Sequence, residues 1–130
     1  MATLTRYLTA SALLAVASIA GCKSDPTCVS GTVLGDRCYD GILIQVDEQY
    51  RIGAAVGSPT MPDTLGSTNI IAAVNVEDFG SLAARGRRIY FSYSNDPNRQ
   101  GPARFCNAMG TALGVPHLVL SNLSASPCVR

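Results

Sequence analysis

The clearest chemical signal in this sequence is a pentapeptide near its start, where an apolar stretch ends in a cysteine. Residues 18–22 read Ser-Ile-Ala-Gly-Cys. A branched apolar residue and two small residues before a cysteine is the pattern at which the sulfur receives diacylglycerol and a signal peptidase then cleaves ahead of it. The sequence therefore predicts a lipid on the thiol of Cys22.

The segment before Cys22 has the three parts of an export signal in order. Arg6 is the positive residue, residues 7–19 are the apolar part, and Ala20 and Gly21 are the small residues before the cleavage point. The apolar run is shorter than the roughly 20 residues of a membrane-spanning helix. Two alternatives are an ordinary signal peptide in which Cys22 has no role, and an uncleaved anchor.

The domain organisation follows from this signal. We expect residues 1–21 to be a cleaved lipoprotein signal peptide, residues 22–27 a lipidated N-terminus and tether, and residues 28–130 one small domain. Without the signal and its Arg6, the ten basic residues of the chain become nine, against nine acidic residues. This balance argues against a nucleic-acid partner, because such proteins carry a basic surface.

Four cysteines remain once Cys22 is assigned to lipid, and an even number in an exported chain predicts two disulfides. They are Cys28, Cys38, Cys106 and Cys128. Three pairings exist. We favour Cys38 with Cys106 and Cys28 with Cys128, since each pair ties an early strand to a late segment. The alternative, a zinc site, would need closely spaced ligand pairs, and the spacing here is wide.

Other residues that could do chemistry are few. His117 is the only histidine and follows a proline at the start of an apolar strand, so we expect a half-exposed strand-end side chain. Asp47 and Glu48 are adjacent, and neighbouring strand residues point to opposite faces, which predicts a solvated strand end. The sequence thus predicts no catalytic residue, metal or cofactor, and we do not expect an enzyme.

Alternation of apolar residues predicts five strands, at residues 29–34, 42–46, 70–74, 88–93 and 117–123. In the fourth, Ile89, Phe91 and Tyr93 should share the inner face. A short helix capped by Asn75 is expected between the third and fourth strands, ending near Gly86. Residues 47–69 are rich in Gly, Pro, Ser and Thr and predict an exposed loop, with a short strand proposed at 50–56.

This order of elements predicts a mainly β chain that folds as a small five-stranded barrel of the OB type, with its helix between strands 3 and 4. A closed barrel would also pair the strand edges that an open sheet leaves free.

Three runs and a cysteine carry a resemblance. The runs are residues 38–45 (Cys-Tyr-Asp-Gly-Ile-Leu-Ile-Gln), 74–79 (Val-Asn-Val-Glu-Asp-Phe) and 86–93 (Gly-Arg-Arg-Ile-Tyr-Phe-Ser-Tyr), and Cys106 precedes a final apolar strand. Over residues 28–123 the chain resembles small uncharacterised lipoproteins of Gram-negative bacteria with OB-like barrels. The resemblance implies the fold and brings no catalytic residues with it.

A basic and aromatic set formed by Arg87, Arg88 and Tyr90 is the best candidate for partner contact, since arginine and tyrosine anchor many interfaces. The alternative is a solvated rim. We expect a lipid-anchored cell-envelope protein with a non-catalytic structural or interaction role. Lys23 after the cysteine favours the outer membrane. An alternative is a module that binds a glycan or inhibits an envelope hydrolase, using the barrel face and residues 53–69.

Overall fold

Alternating apolar residues form the predicted strands. The structure is a computed structural model that describes residues 28–56, 68–107 and 109–128. Its five strands are β1 (Val29–Arg37), β2 (Gly41–Val46), β3 (Ile70–Ala73), β4 (Arg88–Ser94) and β5 (His117–Ser124). The short strand proposed at residues 50–56 is reduced to a single bridge between Ala54 and Ile70. The signal peptide, Cys22, the tether and residues 57–67 lie outside the described residues.

The strands close into a barrel in the order β1-β2-β3-β5-β4. β1 runs antiparallel to both β2 and β4, β2 pairs antiparallel with β3, and β4 with β5. Only β3 and β5 run parallel. This is the connectivity of an OB-type barrel, which confirms the predicted fold class. Each described strand has a partner on both sides, so none leaves an open edge.

The barrel interior is filled by one side of every strand. Its buried apolar residues are Val29, Val33, Ile42, Ile44, Val46, Ile71, Ala73, Phe79, Ile89, Phe91, Leu118 and Leu120. A second, smaller cluster lies on the other side of β2 and β3, where Leu43, Ile70 and Ala72 pack against Leu34 and Val115. β2 and β3 are therefore buried on both faces, which explains their nearly unbroken apolar sequence.

The helical segment lies between β3 and β4, as predicted, but consists of two 3-10 turns, Val76–Asp78 and Gly80–Ala83. The expectation that the Asn75 side chain caps a helix is wrong. Its Nδ2 donates to the Leu120 carbonyl (2.7 Å), and its Oδ1 accepts from the Leu120 N–H (2.9 Å). The buried Asn75 amide thus fastens this segment to β5 instead of satisfying a helix terminus.

Tyr93 does not belong to the core, contrary to the prediction, and its exposed fraction is 41%. Tyr90 pairs with Ser124 and Ser92 with Ser121, so β5 carries an extra residue over this interval. Within it, Asn122 has a left-handed φ of 51°. Such a bulge increases the local twist of a strand pair. Beyond it, Ser92 is buried and Tyr93 faces outward.

The two favoured disulfides are both present. Cys28 pairs with Cys128 and Cys38 with Cys106, with Cα–Cα distances of 6.0 and 5.6 Å. Both distances are ordinary for disulfides. Since Cys28 directly precedes β1 and Cys38 directly follows it, the two crosslinks lie at opposite ends of this strand.

Candidate functional site

A row of polar side chains crosses the outer surface of three neighbouring strands. Thr32 of β1 pairs with Gln45 of β2 on one side and with Arg88 of β4 on the other. Two residues along β1, Ser30 pairs with Tyr90. Side chains two residues apart on a strand point to the same face. The register therefore gathers hydroxyl, amide, phenol and guanidinium groups on one side of the barrel.

Asp47, just after β2, completes a charged network beside this row. Arg88 donates Nη1 to Asp47 Oδ1 (3.0 Å) and Nη2 to Asp47 Oδ2, and the Ser30 hydroxyl donates to Oδ2 at 2.5 Å. The hydrogen bond from Arg88 lowers the pKa of Asp47, against the opposing effect of partial burial. The bond to Asp47 likewise raises the pKa of Arg88. The Asp47 carboxylate is thus ion-paired, and the expectation that this residue is simply solvated is wrong.

The ring of Tyr90 also contacts Arg88. The Arg88 guanidinium carbon lies 5.7 Å from the centroid of the Tyr90 ring, within the range of a cation–π contact. Because Asp47, Ser30 and Tyr90 all engage Arg88, its guanidinium has a fixed position on the barrel surface.

Two clefts open next to this network. The larger, of about 560 Å³, has a polar lining that includes Thr32, Gln45, Asp47, Glu48, Gln49 and Arg88. The smaller, of about 380 Å³, includes Arg51 and Asn69 in its lining. Glu48 and Thr68 line both clefts, so the two adjoin, and together we call them the polar groove.

The Asn69 side chain shapes the wall of the polar groove. Its Nδ2 donates to the carbonyls of Val46 (3.0 Å), Asp47 (3.1 Å) and Tyr50 (2.8 Å). Its Oδ1 accepts from the Gly53 N–H at 2.9 Å. A single side chain therefore holds the backbone of residues 46–53, from which Glu48, Gln49 and Arg51 project.

The predicted contact residues are only partly brought together. Arg88 and Tyr90 lie side by side, whereas Arg87 is exposed and lines neither cleft. Sequence reasoning missed Thr32 and Gln45. The only indication in the sequence is that Thr32 is a polar residue within an apolar strand. The strand register that places it beside Gln45 and Arg88 cannot be derived from the sequence.

A second polar cluster surrounds Asp40 in the turn between β1 and β2. Asp40 is fully buried. Its Oδ1 lies 2.9 Å from His117 Nε2 and accepts from the Leu113 N–H at 2.7 Å, and its Oδ2 lies 3.3 Å from Arg37 Nε. The His117 side chain is only 11% exposed, so the expectation of a half-exposed histidine is wrong.

The β4–β5 loop, residues 95–116, is fastened over this cluster. Arg104 donates to both carboxylate oxygens of Asp36, at 3.0 and 2.5 Å, and to the carbonyls of Arg37 and Cys38, at 2.6 and 3.0 Å. The bond to Asp36 raises the pKa of Arg104. Together with the Cys38–Cys106 disulfide, these bonds join the β1–β2 turn to the loop. Both cysteines are oxidised, so neither offers a thiolate.

The described residues hold no group of three or more His, Cys, Asp or Glu side chains that could bind a metal ion. Over the same residues, no helix is long and apolar enough to cross a membrane. No protein-family model matches the chain, and no curated protein matches it.

Proposed function

We propose that this chain is a lipid-anchored protein of the bacterial cell envelope, with a barrel domain that has a non-catalytic interaction role. The observation that supports the anchor most is how the cysteines are used. Four of the five form the two disulfides of the barrel. The fifth, Cys22, follows an apolar run and two small residues, where a lipoprotein cysteine belongs.

Two disulfides fit export, because such bonds persist in oxidising compartments such as the periplasm and the cell surface. Lys23 after the anchor cysteine favours the outer membrane of a Gram-negative bacterium as the destination. Cys22 would carry more than one acyl chain, and each buried CH₂ contributes about 0.8 kcal/mol to membrane attachment. The attachment would therefore be stable.

The length of the tether limits how far one end of the barrel can lie from the membrane. From Cys22 to Cys28 the extended chain reaches at most about 20 Å. The Cys28–Cys128 end of the barrel would then stay close to the membrane. Cys38 and the β1–β2 turn, at the far end of β1, would be the more distant part.

The polar groove supports the interaction role. It combines a fixed ion pair with hydroxyl and amide side chains on an outer face of the barrel. Binding sites typically combine a preformed concave surface with a few well-placed polar groups.

The anchor is tested by intact mass and membrane partition of the full-length protein expressed in a Gram-negative host. We expect the wild type to start at Cys22 with diacylglycerol and an acyl chain added. The Cys22→Ser variant should keep its signal peptide and carry no lipid. Ser24→Ala is a matched control that should be processed normally. A Cys22→Ser variant that is cleaved normally and still partitions with membranes would overturn the proposal.

A further inference from the structure

The polar groove contains side chains that are fixed by the fold and others that are not. Asp47 and Arg88 are held to each other and to Ser30. Within the described part of the chain, the side chains of Thr32 and Gln49 have no hydrogen-bond partner. Neither do Glu48 and Arg51, which are exposed. A hydroxyl, an amide and one group of each charge are thus directed at solvent around a preformed ion pair.

Charge in the groove is balanced. The carboxylates of Asp47 and Glu48 are matched by the guanidiniums of Arg88 and Arg51. A polyanion would approach two carboxylates and a polycation two guanidiniums, so neither is favoured electrostatically. This balance favours a ligand with no net charge.

The chemistry of the unpaired groups narrows the ligand class. A threonine hydroxyl both donates and accepts hydrogen bonds, and so does a glutamine amide. Sugar hydroxyls and acetamido groups offer the same mixture in return. Gln45 contributes here as well, because its Nε2 makes only a long contact, 3.4 Å, to the Thr68 carbonyl.

The two adjoining clefts of the polar groove favour a chain over a single small molecule. Each cleft has a volume within the range of roughly 300–1,000 Å³ usual for ligand sites, and they adjoin through Glu48 and Thr68. An extended peptide would fit less well. Peptides commonly add to a free strand edge, and each described strand of this barrel is paired on both sides.

We propose that the polar groove of β1, β2 and β4 binds an uncharged oligosaccharide chain through Thr32, Gln45 and Gln49, with the Asp47–Arg88 pair as its fixed wall. This inference rests on the interaction role proposed above and names the ligand class for that site.

Titration calorimetry of the detergent-solubilised full chain with trimers of N-acetylglucosamine and of glucose tests this proposal. We expect saturable binding to at least one trimer that changes little with salt, since no net charge is neutralised. Gln49→Ala should weaken binding about fivefold, the loss expected for one hydrogen bond. Asn107→Ala removes an exposed amide outside the groove and should bind as the wild type does.

A second pair of variants separates binding from folding. Thr32→Val keeps the β-branched shape that suits a strand and removes only the hydroxyl, so we expect a similar loss of affinity. Thr111→Val makes the same change on an exposed loop residue and should have no effect. Urea unfolding of each variant checks that the barrel is intact.

The proposal is overturned if folded protein binds neither trimer, or if Gln49→Ala and Thr32→Val bind as tightly as the wild type. Salt-sensitive binding of a sulfated oligosaccharide alone, or of a peptide alone, would also overturn the ligand class. None of these results affects the lipid anchor, which the Cys22→Ser experiment tests separately.

Discussion

The carboxyl group of Asp40 is fully buried. Its partners come from three separate parts of the chain, namely Arg37 beside it, Leu113 in the β4–β5 loop and His117 at the start of β5. A buried carboxyl depends on such partners. Oδ1 has hydrogen-bond partners in Leu113 and His117, whereas the buried Oδ2 makes no hydrogen bond and has only the ion pair with Arg37. Asp40 therefore links the β1–β2 turn to the β4–β5 loop that covers this turn.

Asp40→Asn is expected to destabilise the barrel by about 3 kcal/mol. The retained oxygen can still accept from Leu113 and His117, but the NH₂ group in place of Oδ2 would face the Arg37 guanidinium, donor against donor, and the buried ion pair would be lost. Urea unfolding at neutral pH measures the effect. Asp36→Asn is the matched control, since this carboxylate is 43% exposed and its pair with Arg104 is worth about 1 kcal/mol or less. Equal losses for the two variants would contradict the assigned role of Asp40.

Asp47 should make stability depend on pH in the acid range. Its folded-state pKa lies below its ordinary value because of the bond from Arg88. A carboxyl of this kind stabilises the fold above the unfolded pKa of about 3.9, and this contribution is lost as the pH falls through the folded value. Because Arg88 is 49% exposed, we expect the contribution to be about 1 kcal/mol or less.

The measurement is the difference in free energy of unfolding between wild type and Asp47→Asn, followed from pH 7 downward. It should be constant at neutral pH and shrink as the pH falls below the unfolded pKa of about 3.9. Glu48→Gln removes the neighbouring carboxylate, which has no partner in the described structure, and should show no such trend. A difference that grows on acidification would contradict the assignment.

At the scale of elements, the turn from β1 to β2 depends on Gly41. Its φ is 98°, and a Cβ atom there would overlap the Ala73 carbonyl of β3. We expect Gly41→Ala to cost about 3 kcal/mol or more, from backbone strain and from separation of β2 and β3. Thermal unfolding with Gly101→Ala as control tests this, since a Cβ at Gly101 meets nothing within 4 Å. Loss of stability in both variants alike would argue against this explanation.

The elements that could be predicted from sequence are those set by neighbours along the chain. Apolar runs located all five strands, alternating where one face meets solvent and unbroken in β3, which is buried on both faces. Tyr93 differs from the prediction because the bulge before it, between the partners of Tyr90 and Ser92, is formed by β5, a distant segment. The sequence predicts a cap at Asn75 because its actual partner, Leu120, lies 45 residues away.

Part of the candidate site could also be predicted, because some of its residues are close along the chain. Arg88 and Tyr90 were found because they are close in sequence and of suitable types. Thr32 and Asp47 reach them only through strand pairing and a long-range ion pair, and residue type alone does not specify either.

At the scale of the whole molecule, both disulfides should stabilise the barrel. Each closes a long segment, with separations of 100 and 68 residues, and we expect removal of either to cost about 2–5 kcal/mol. Urea unfolding of the double variants Cys28→Ser/Cys128→Ser and Cys38→Ser/Cys106→Ser, compared with wild type, measures this cost.

Hydrogen exchange distinguishes the two crosslinks. The Leu113 N–H, which donates to Asp40, should exchange faster when Cys38 and Cys106 are replaced, because the β4–β5 loop loses its covalent tie. Replacement of Cys28 and Cys128 should leave this amide protected. Equal protection of Leu113 in both double variants would show that the loop does not depend on its disulfide.

The Cys28–Cys128 crosslink also brings the start and the finish of the folded body together, with Cα atoms 6.0 Å apart. An epitope tag or fluorescent reporter fused shortly after Cys128 would therefore start at the same end of the barrel as the N-terminal segment. If the N-terminal segment is anchored in a bilayer, the reporter would lie against the lipid headgroups. An internal insertion at the opposite pole would give antibodies an unobstructed target.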